Sequence, residues 1–156
     1  MKTILVVLSL CLSTVLFGQD YQTAVGVRGG FGYGVTVKHF INSQDALEGI
    51  LSSRWQGLLV TGLYERHADA FNTKGLFWFY GAGGHVGFWN GKNNNNPWFD
   101  DDSNYTVVGV DGIIGIEYDI QEIPFSVSID WKPSINFGYS GFLGNSGALS
   151  VRYLIR

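Results

Sequence analysis

The chain has 156 residues, 46% hydrophobic, 15% aromatic and only 15% charged, with 22 glycines against one methionine and three prolines. That composition excludes a helical bundle or coiled coil, which needs far more Ala, Glu, Lys and Leu, and a chain this apolar is not disordered. A net charge of -3 leaves no basic footprint for nucleic acid, and the length suits a single domain.

Residues 1–18 read as a signal peptide. Lys2 precedes the apolar run Ile4–Phe17 and the small residue Gly18 closes it, the layout of a cleaved secretory leader. The run is shorter than the ~20 residues of a spanning helix. The one cysteine, Cys11, falls inside it. As a lipoprotein acylation site Cys11 is poorly placed, because Leu10 before it is large and little apolar sequence precedes it. The mature domain, 19–156, is therefore expected to be exported and to lack a thiol, which excludes disulfides and cysteine catalysis.

From there the chain alternates with period two. Val25, Val27, Gly29 and Phe31 oppose Ala24, Gly26, Arg28 and Gly30. Weaker alternation marks Tyr33–Ile41, Ala46–Trp55 and Gly57–His67. In Leu76–Trp89, the face Leu76, Trp78, Tyr80, Ala82, Val86, Phe88 opposes Phe77, Phe79, Gly81, Gly83, His85, Gly87. In Val107–Ile120 the even positions are apolar, whereas the odd ones carry Gly109, Asp111, Gly115, Glu117 and Asp119. Phe125, Val127, Ile129 and Trp131 alternate with Ser126, Ser128, Asp130 and Lys132, and Leu149, Val151, Tyr153 and Ile155 with Ser150 and Arg152. Each segment reads as a strand with one apolar and one polar face. Together they predict an all-β fold, an eight-stranded antiparallel up-and-down transmembrane barrel. Taking the mature N-terminus as periplasmic, the connections Asn42–Asp45, Ala68–Gly75 and Gln121–Pro124 lie on the periplasmic side. Gly32, Gln56, Asn90–Tyr105 and Tyr139–Asn145 then face outward, so both long polar or Gly-rich stretches are external, as in outer-membrane barrels.

Charge placement selects the face that meets lipid. Parity assigns Arg28, Lys38, Glu48, Arg54, Glu65, Asp111, Glu117, Asp119, Asp130, Lys132 and Arg152 to the polar faces, five cations against six anions. Eight strands leave an interior only wide enough for side chains, so Gly and Ser make room there and opposite charges must neutralise one another. A soluble barrel binding a small apolar ligand would turn the apolar faces inward and impose neither condition. Trp55, Trp78, Trp89, Trp131, Tyr64, Tyr80, Tyr118 and Tyr153 lie near strand ends or on the apolar face, as interfacial aromatic girdles require. His39 and Arg66 also fall on the lipid face, which is tolerable only near an interface.

On these residues the chain resembles the small outer-membrane β-barrel proteins of Gram-negative bacteria, akin to the OmpA/OmpX-type eight-stranded barrel. The resemblance covers roughly 21–156. It rests on the leader, Val25-Gly-Val-Arg-Gly-Gly-Phe31, Val110-Asp-Gly-Ile-Ile-Gly-Ile-Glu-Tyr118, Ser128-Ile-Asp-Trp-Lys-Pro133 and Gly147-Ala-Leu-Ser-Val-Arg-Tyr153. It implies an outer-membrane location, contact with lipid and lipopolysaccharide, and insertion by the barrel-assembly machinery. Family members commonly end in an aromatic residue that this machinery recognises. This chain departs from them by ending Tyr153-Leu-Ile-Arg156, leaving Tyr153 as the substitute.

Chemistry is sparsely signalled. No HExxH, GxSxG, Walker or CxxC pattern occurs. The glycines of Gly26-Val-Arg-Gly-Gly-Phe-Gly32 precede no helix, so they are no phosphate loop. His85 faces the lumen near Asp111 and Glu117 and reads as a hydrogen-bonding residue. A lipid-modifying enzyme could pair His39 with Ser52 or Ser53, yet Ser52 points inward and His39 lies at the periplasmic end. Asp100, Asp101 and Asp102 lack the spacing of a calcium loop and read as solvated acids. Trp98 and Phe99 in loop 90–105 offer a contact for a surface partner. The expectation is a non-enzymatic barrel without cofactor or metal, with a structural or surface-interaction role and little or no pore activity.

Overall fold

Alternation is realised as eight strands: β1 (Thr23–Gly30), β2 (Tyr33–Phe40), β3 (Asp45–Arg54), β4 (Gly57–Asp69), β5 (Leu76–Trp89), β6 (Tyr105–Asp119), β7 (Phe125–Phe137) and β8 (Phe142–Ile155). The structure, a computed structural model, describes residues 22–54, 57–89, 105–120, 122–137 and 142–155. The leader 1–18 with Cys11, Trp55, Gln56 and loop residues 90–104, including Trp98, Phe99 and Asp100–Asp102, lie outside the described residues. Each strand pairs antiparallel with its neighbour in sequence, and β8 returns to β1 to close the barrel. Closure leaves none of these eight described strands as an edge.

Turn chemistry accounts for the connections at one end. Between β2 and β3, the Asn42 side-chain oxygen accepts from the backbone N–H groups of Gln44 and Asp45, both at 2.8 Å. An Asn at this position substitutes its side chain for a backbone turn. Between β4 and β5, Phe71 and Asn72 both have positive φ, 53° and 52°, and the Thr73 N–H donates to Ala70 O at 3.1 Å. Paired left-handed residues are what a right-twisted hairpin prefers.

The strands run further than their alternation predicts at several ends, most of all in β7 and β8. Continuation of β7 to Phe137 is hidden in the sequence by Pro133, which has no N–H to give a ladder. The sheet absorbs it as an irregularity: the β7–β8 register shifts between Pro133 and Ile135. Before Leu149, β8 carries Gly144 and Gly147, so apolar contrast is too weak there to mark a strand.

Parity sorts the two faces of the wall. Val25, Val27, Val35, Leu51, Val60, Ile114, Ile116 and Ile129 point outward and are exposed, whereas Arg28, Lys38, Glu48, Glu65, Asp111, Glu117, Asp130, Lys132 and Arg152 point inward and are buried. Trp78, Trp131, Tyr64, Tyr80, Tyr118 and Tyr153 are exposed on the outer surface. Trp89 departs from the expectation. It is buried, turned inward at the end of β5, and its Nε1–H donates to the Arg54 carbonyl at 3.2 Å. Gly57 and Gly87 make this possible, since a Cβ on either would collide with the indole.

Candidate functional site

The interior is the chemically dense part of the molecule, and it is layered. At the end bearing the 41–44, 70–75 and 120–124 connections, Arg152 donates through Nη1 to Glu117 Oε2 at 2.9 Å and to Ser128 Oγ at 2.7 Å, and through Nη2 to Glu48 Oε1 at 2.5 Å. Lys38 Nζ stands 2.8 Å from Glu65 Oε2, 3.2 Å from Glu117 Oε2 and 3.9 Å from Glu48 Oε2. Thr36 donates its hydroxyl hydrogen to Glu48, and His67 Nε2 lies 3.2 Å from Glu65 Oε2. This group holds two cations and three carboxylates, and each cation touches more than one carboxylate. Such sharing offsets the several kcal/mol that each ion loses on leaving water.

Towards the other end, Arg28 grips Asp130 with both terminal nitrogens, the bidentate fork that arginine forms with carboxylates. Asp111 receives Lys132 Nζ at 2.8 Å, His85 Nδ1 at 2.7 Å and the Ser134 hydroxyl. His85 Nε2 faces Asn136 Oδ1 at 2.8 Å. Gly109 gives the imidazole its space, because a Cβ there would press on Cε1 at 2.5 Å and Nε2 at 2.8 Å.

Between the groups lies an apolar layer of Ile50, Leu63, Phe79 and Ile113, all buried. Three strands set the order independently. On β3 Ile50 separates Glu48 from Ser52; on β4 Leu63 separates Glu65 from Thr61; on β6 Ile113 stands between Glu117 and Asp111. Phe79 carries Lys38 Nζ 4.4 Å from its ring centroid and stacks on His67 at 5.0 Å. Gly115 leaves room for it, since a Cβ there would meet Phe79 Cζ at 2.6 Å.

Nine of the eleven residues assigned by parity to the lumen thus enter one group or the other. Arg54 and Asp119 stand at opposite rims: Arg54 ends β3, with its guanidinium 5.9 Å from the Phe31 ring centroid, and Asp119 ends β6. His85 meets Asp111 as expected, but Glu117 belongs to the group beyond the apolar layer. His39 and Ser53 do not form a pair. His39 accepts or donates at 2.9 Å with Thr23 Oγ1, while Ser52 and Ser53 register with Gly34 and Tyr33 at the far end of β2. Arg66 registers with Asp45, the first residue of β3, and reaches Gln44 Oε1 at 3.1 Å. It therefore lies at the rim, as does His39 opposite Thr23.

Sequence reading assigns no role to His67, Thr36, Ser134 or Asn136, and it does not foresee the apolar layer. The parity that places Glu65 inside also places Leu63 and His67 there, so that signal was available. Comparison with known proteins adds no family: no protein-family model matches the chain, and no curated protein matches it.

Proposed function

We propose that the chain is an integral outer-membrane β-barrel whose side-chain-filled lumen passes little or no solute, and that its role is structural or one of surface interaction. The observation carrying this reading is the inverted polarity of the barrel wall. Ile114 and Ile116 are 48% and 42% exposed on the outside, whereas Lys38 and Arg152 are 0% exposed within. An apolar surface running around a whole barrel far exceeds the few hundred Å² that soluble monomers ordinarily show to water. Acyl chains remove that penalty. A barrel binding an apolar ligand in water requires the opposite arrangement.

In this reading residues 1–18 direct export, and the barrel-assembly machinery inserts the domain. Lipid and lipopolysaccharide surround it, and the connection 90–105 presents the surface for a partner. The interior is a plug rather than a pore, because an apolar layer lies across a lumen already filled by paired ions. No catalysis or cofactor is assigned to it. Fractionation tests the location: the protein should stay with outer membranes through carbonate washing and show heat-modifiable migration on gels. Release into the wash would overturn the membrane reading. In planar bilayers no steady open channel is expected, and a large sustained conductance would overturn the plug.

A further inference from the structure

Within the group around Lys38 and Arg152, two carboxyl groups divide their oxygens in the same way. Glu48 Oε1 accepts from Arg152 Nη2 at 2.5 Å and from the Thr36 hydroxyl. Glu65 Oε2 receives Lys38 Nζ at 2.8 Å and lies 3.2 Å from His67 Nε2. The second oxygen of each, Glu48 Oε2 and Glu65 Oε1, is buried and meets no donor. Lys38 Nζ stands 3.9 Å from Glu48 Oε2, too far for a hydrogen bond. Both residues are closed to solvent, at 2% and 0% exposure. Buried acceptors are ordinarily satisfied, so two bare oxygens in one cluster call for an explanation.

Their placement supplies one. Glu48 is in register with Leu63 and Glu65 with Ala46, so the two carboxyls are diagonal neighbours on the inner face of the β3–β4 pair. They lie within hydrogen-bonding reach of each other. An ionised carboxylate only accepts, so two that meet can bond only through a proton. Two like charges this close in a low-dielectric interior do not both ionise. The groups facing the pair are Thr36 and Lys38 from β2, His67 from β4, Glu117 from β6, Ser128 from β7 and Arg152 from β8, with the Phe79 ring on β5. None of them brings a donor to the two bare oxygens. We propose that Glu48 and Glu65 form a proton-binding site, a carboxylic acid paired with a carboxylate, which holds one proton at neutral pH and ties β3 to β4 inside the lumen. The shared hydrogen satisfies both bare oxygens at once. Its loss sets two carboxylates against each other, which makes the pair the alkali-sensitive point of the lumen. The site lies inside the barrel and is independent of what surrounds the outer wall.

Infrared spectroscopy of the full-length protein in maltoside micelles tests it, because maltoside carries no carbonyl group. The chain has four glutamates, Glu48, Glu65, Glu117 and Glu122, so isotopic labelling of glutamate carboxyls isolates their bands in a difference spectrum. At neutral pH, well above the ~4.3 of an ordinary glutamate, one carboxylic-acid carbonyl band should remain. It should disappear in Glu65→Gln and equally in Glu48→Gln, since each leaves one carboxylate beside a cation, with the glutamine amide donating where the acid did. The amide band of the same spectrum verifies that each variant keeps its sheet. Absence of the acid band in the parent protein, or a band that either folded variant retains, would overturn the site. Alkali gives a second readout. The folded chain holds this proton more tightly than the unfolded chain does, so the stabilisation is greatest in acid and declines as the pH rises until the proton leaves the folded site. Between weakly acidic and alkaline pH the denaturant midpoint should therefore fall further in the parent than in Glu65→Gln, which needs no proton for the contact. An equal fall in the two would overturn the bracing role of the proton.

Discussion

Arg152 is closed to solvent and bridges Glu48 and Glu117, while Lys38 bridges Glu65 and Glu117. Because both cations are shared, removing one strands more than one carboxylate. Arg152→Met keeps a flexible apolar stem in place of the arginine and leaves Glu48 and Glu117 short of a counter-charge. It should cost about 3–5 kcal/mol of stability, read as a lowered denaturant midpoint in detergent micelles. Adding Glu48→Gln to that variant removes one of the stranded charges and should recover part of the loss. Residues that share a partner are non-additive, and strict additivity of the two changes would contradict the shared geometry. Little of this was legible beforehand. Parity identifies Arg152 and Glu48 as inward residues, but nothing local pairs two side chains 104 positions apart.

At the scale of the strand, glycine determines how large side chains fit inside so narrow a barrel. Gly115 on β6 faces Phe79 of the neighbouring β5, with which it is in register. Gly115→Ala would press a methyl group against Phe79 Cζ at 2.6 Å and against the β7 wall at Ile129 O and Asp130 Cβ, at 2.6 Å and 2.7 Å. Overpacking of this kind should cost about 1–3 kcal/mol, and Phe79→Leu, which removes the obstructing ring atom, should restore part of it. Thermal or denaturant unfolding of the single and double variants measures both effects. The glycine excess was visible in composition and pointed to a crowded lumen. Which glycine accommodates which ring depends on the stagger between paired strands. The same limit explains Trp89, whose strand-end position resembles that of a girdle residue, although Gly57 and Gly87 let it turn inward.

For the whole molecule, the surroundings of the outer wall determine the consequence of a surface charge. Ile114 lies midway along β6 on the exposed face. In a bilayer, Ile114→Arg should cost about 2–4 kcal/mol, as cations do at the midplane of membrane barrels. On a barrel in water the same change should stay within about 0.5 kcal/mol. Folding equilibria in lipid vesicles separate the two, and a near-zero effect would count against the membrane reading. The interior has its own long-range order: one ion-paired group gathers around Lys38 and Arg152, and a second around Arg28 and Lys132. An apolar layer lies between them.

Period-two alternation, glycine content and charge parity determined, from the chain alone, that there are eight strands and which side chains share a face. These are consequences of local geometry, because successive residues of a strand point to opposite sides whatever the strand pairs with. The meeting of Arg28 with Asp130 and of Arg152 with Glu48, and the division of the lumen into layers, were decided only in three dimensions. Each depends on register and stagger around the barrel, which set the height of every inward side chain, and no stretch of sequence encodes that height by itself.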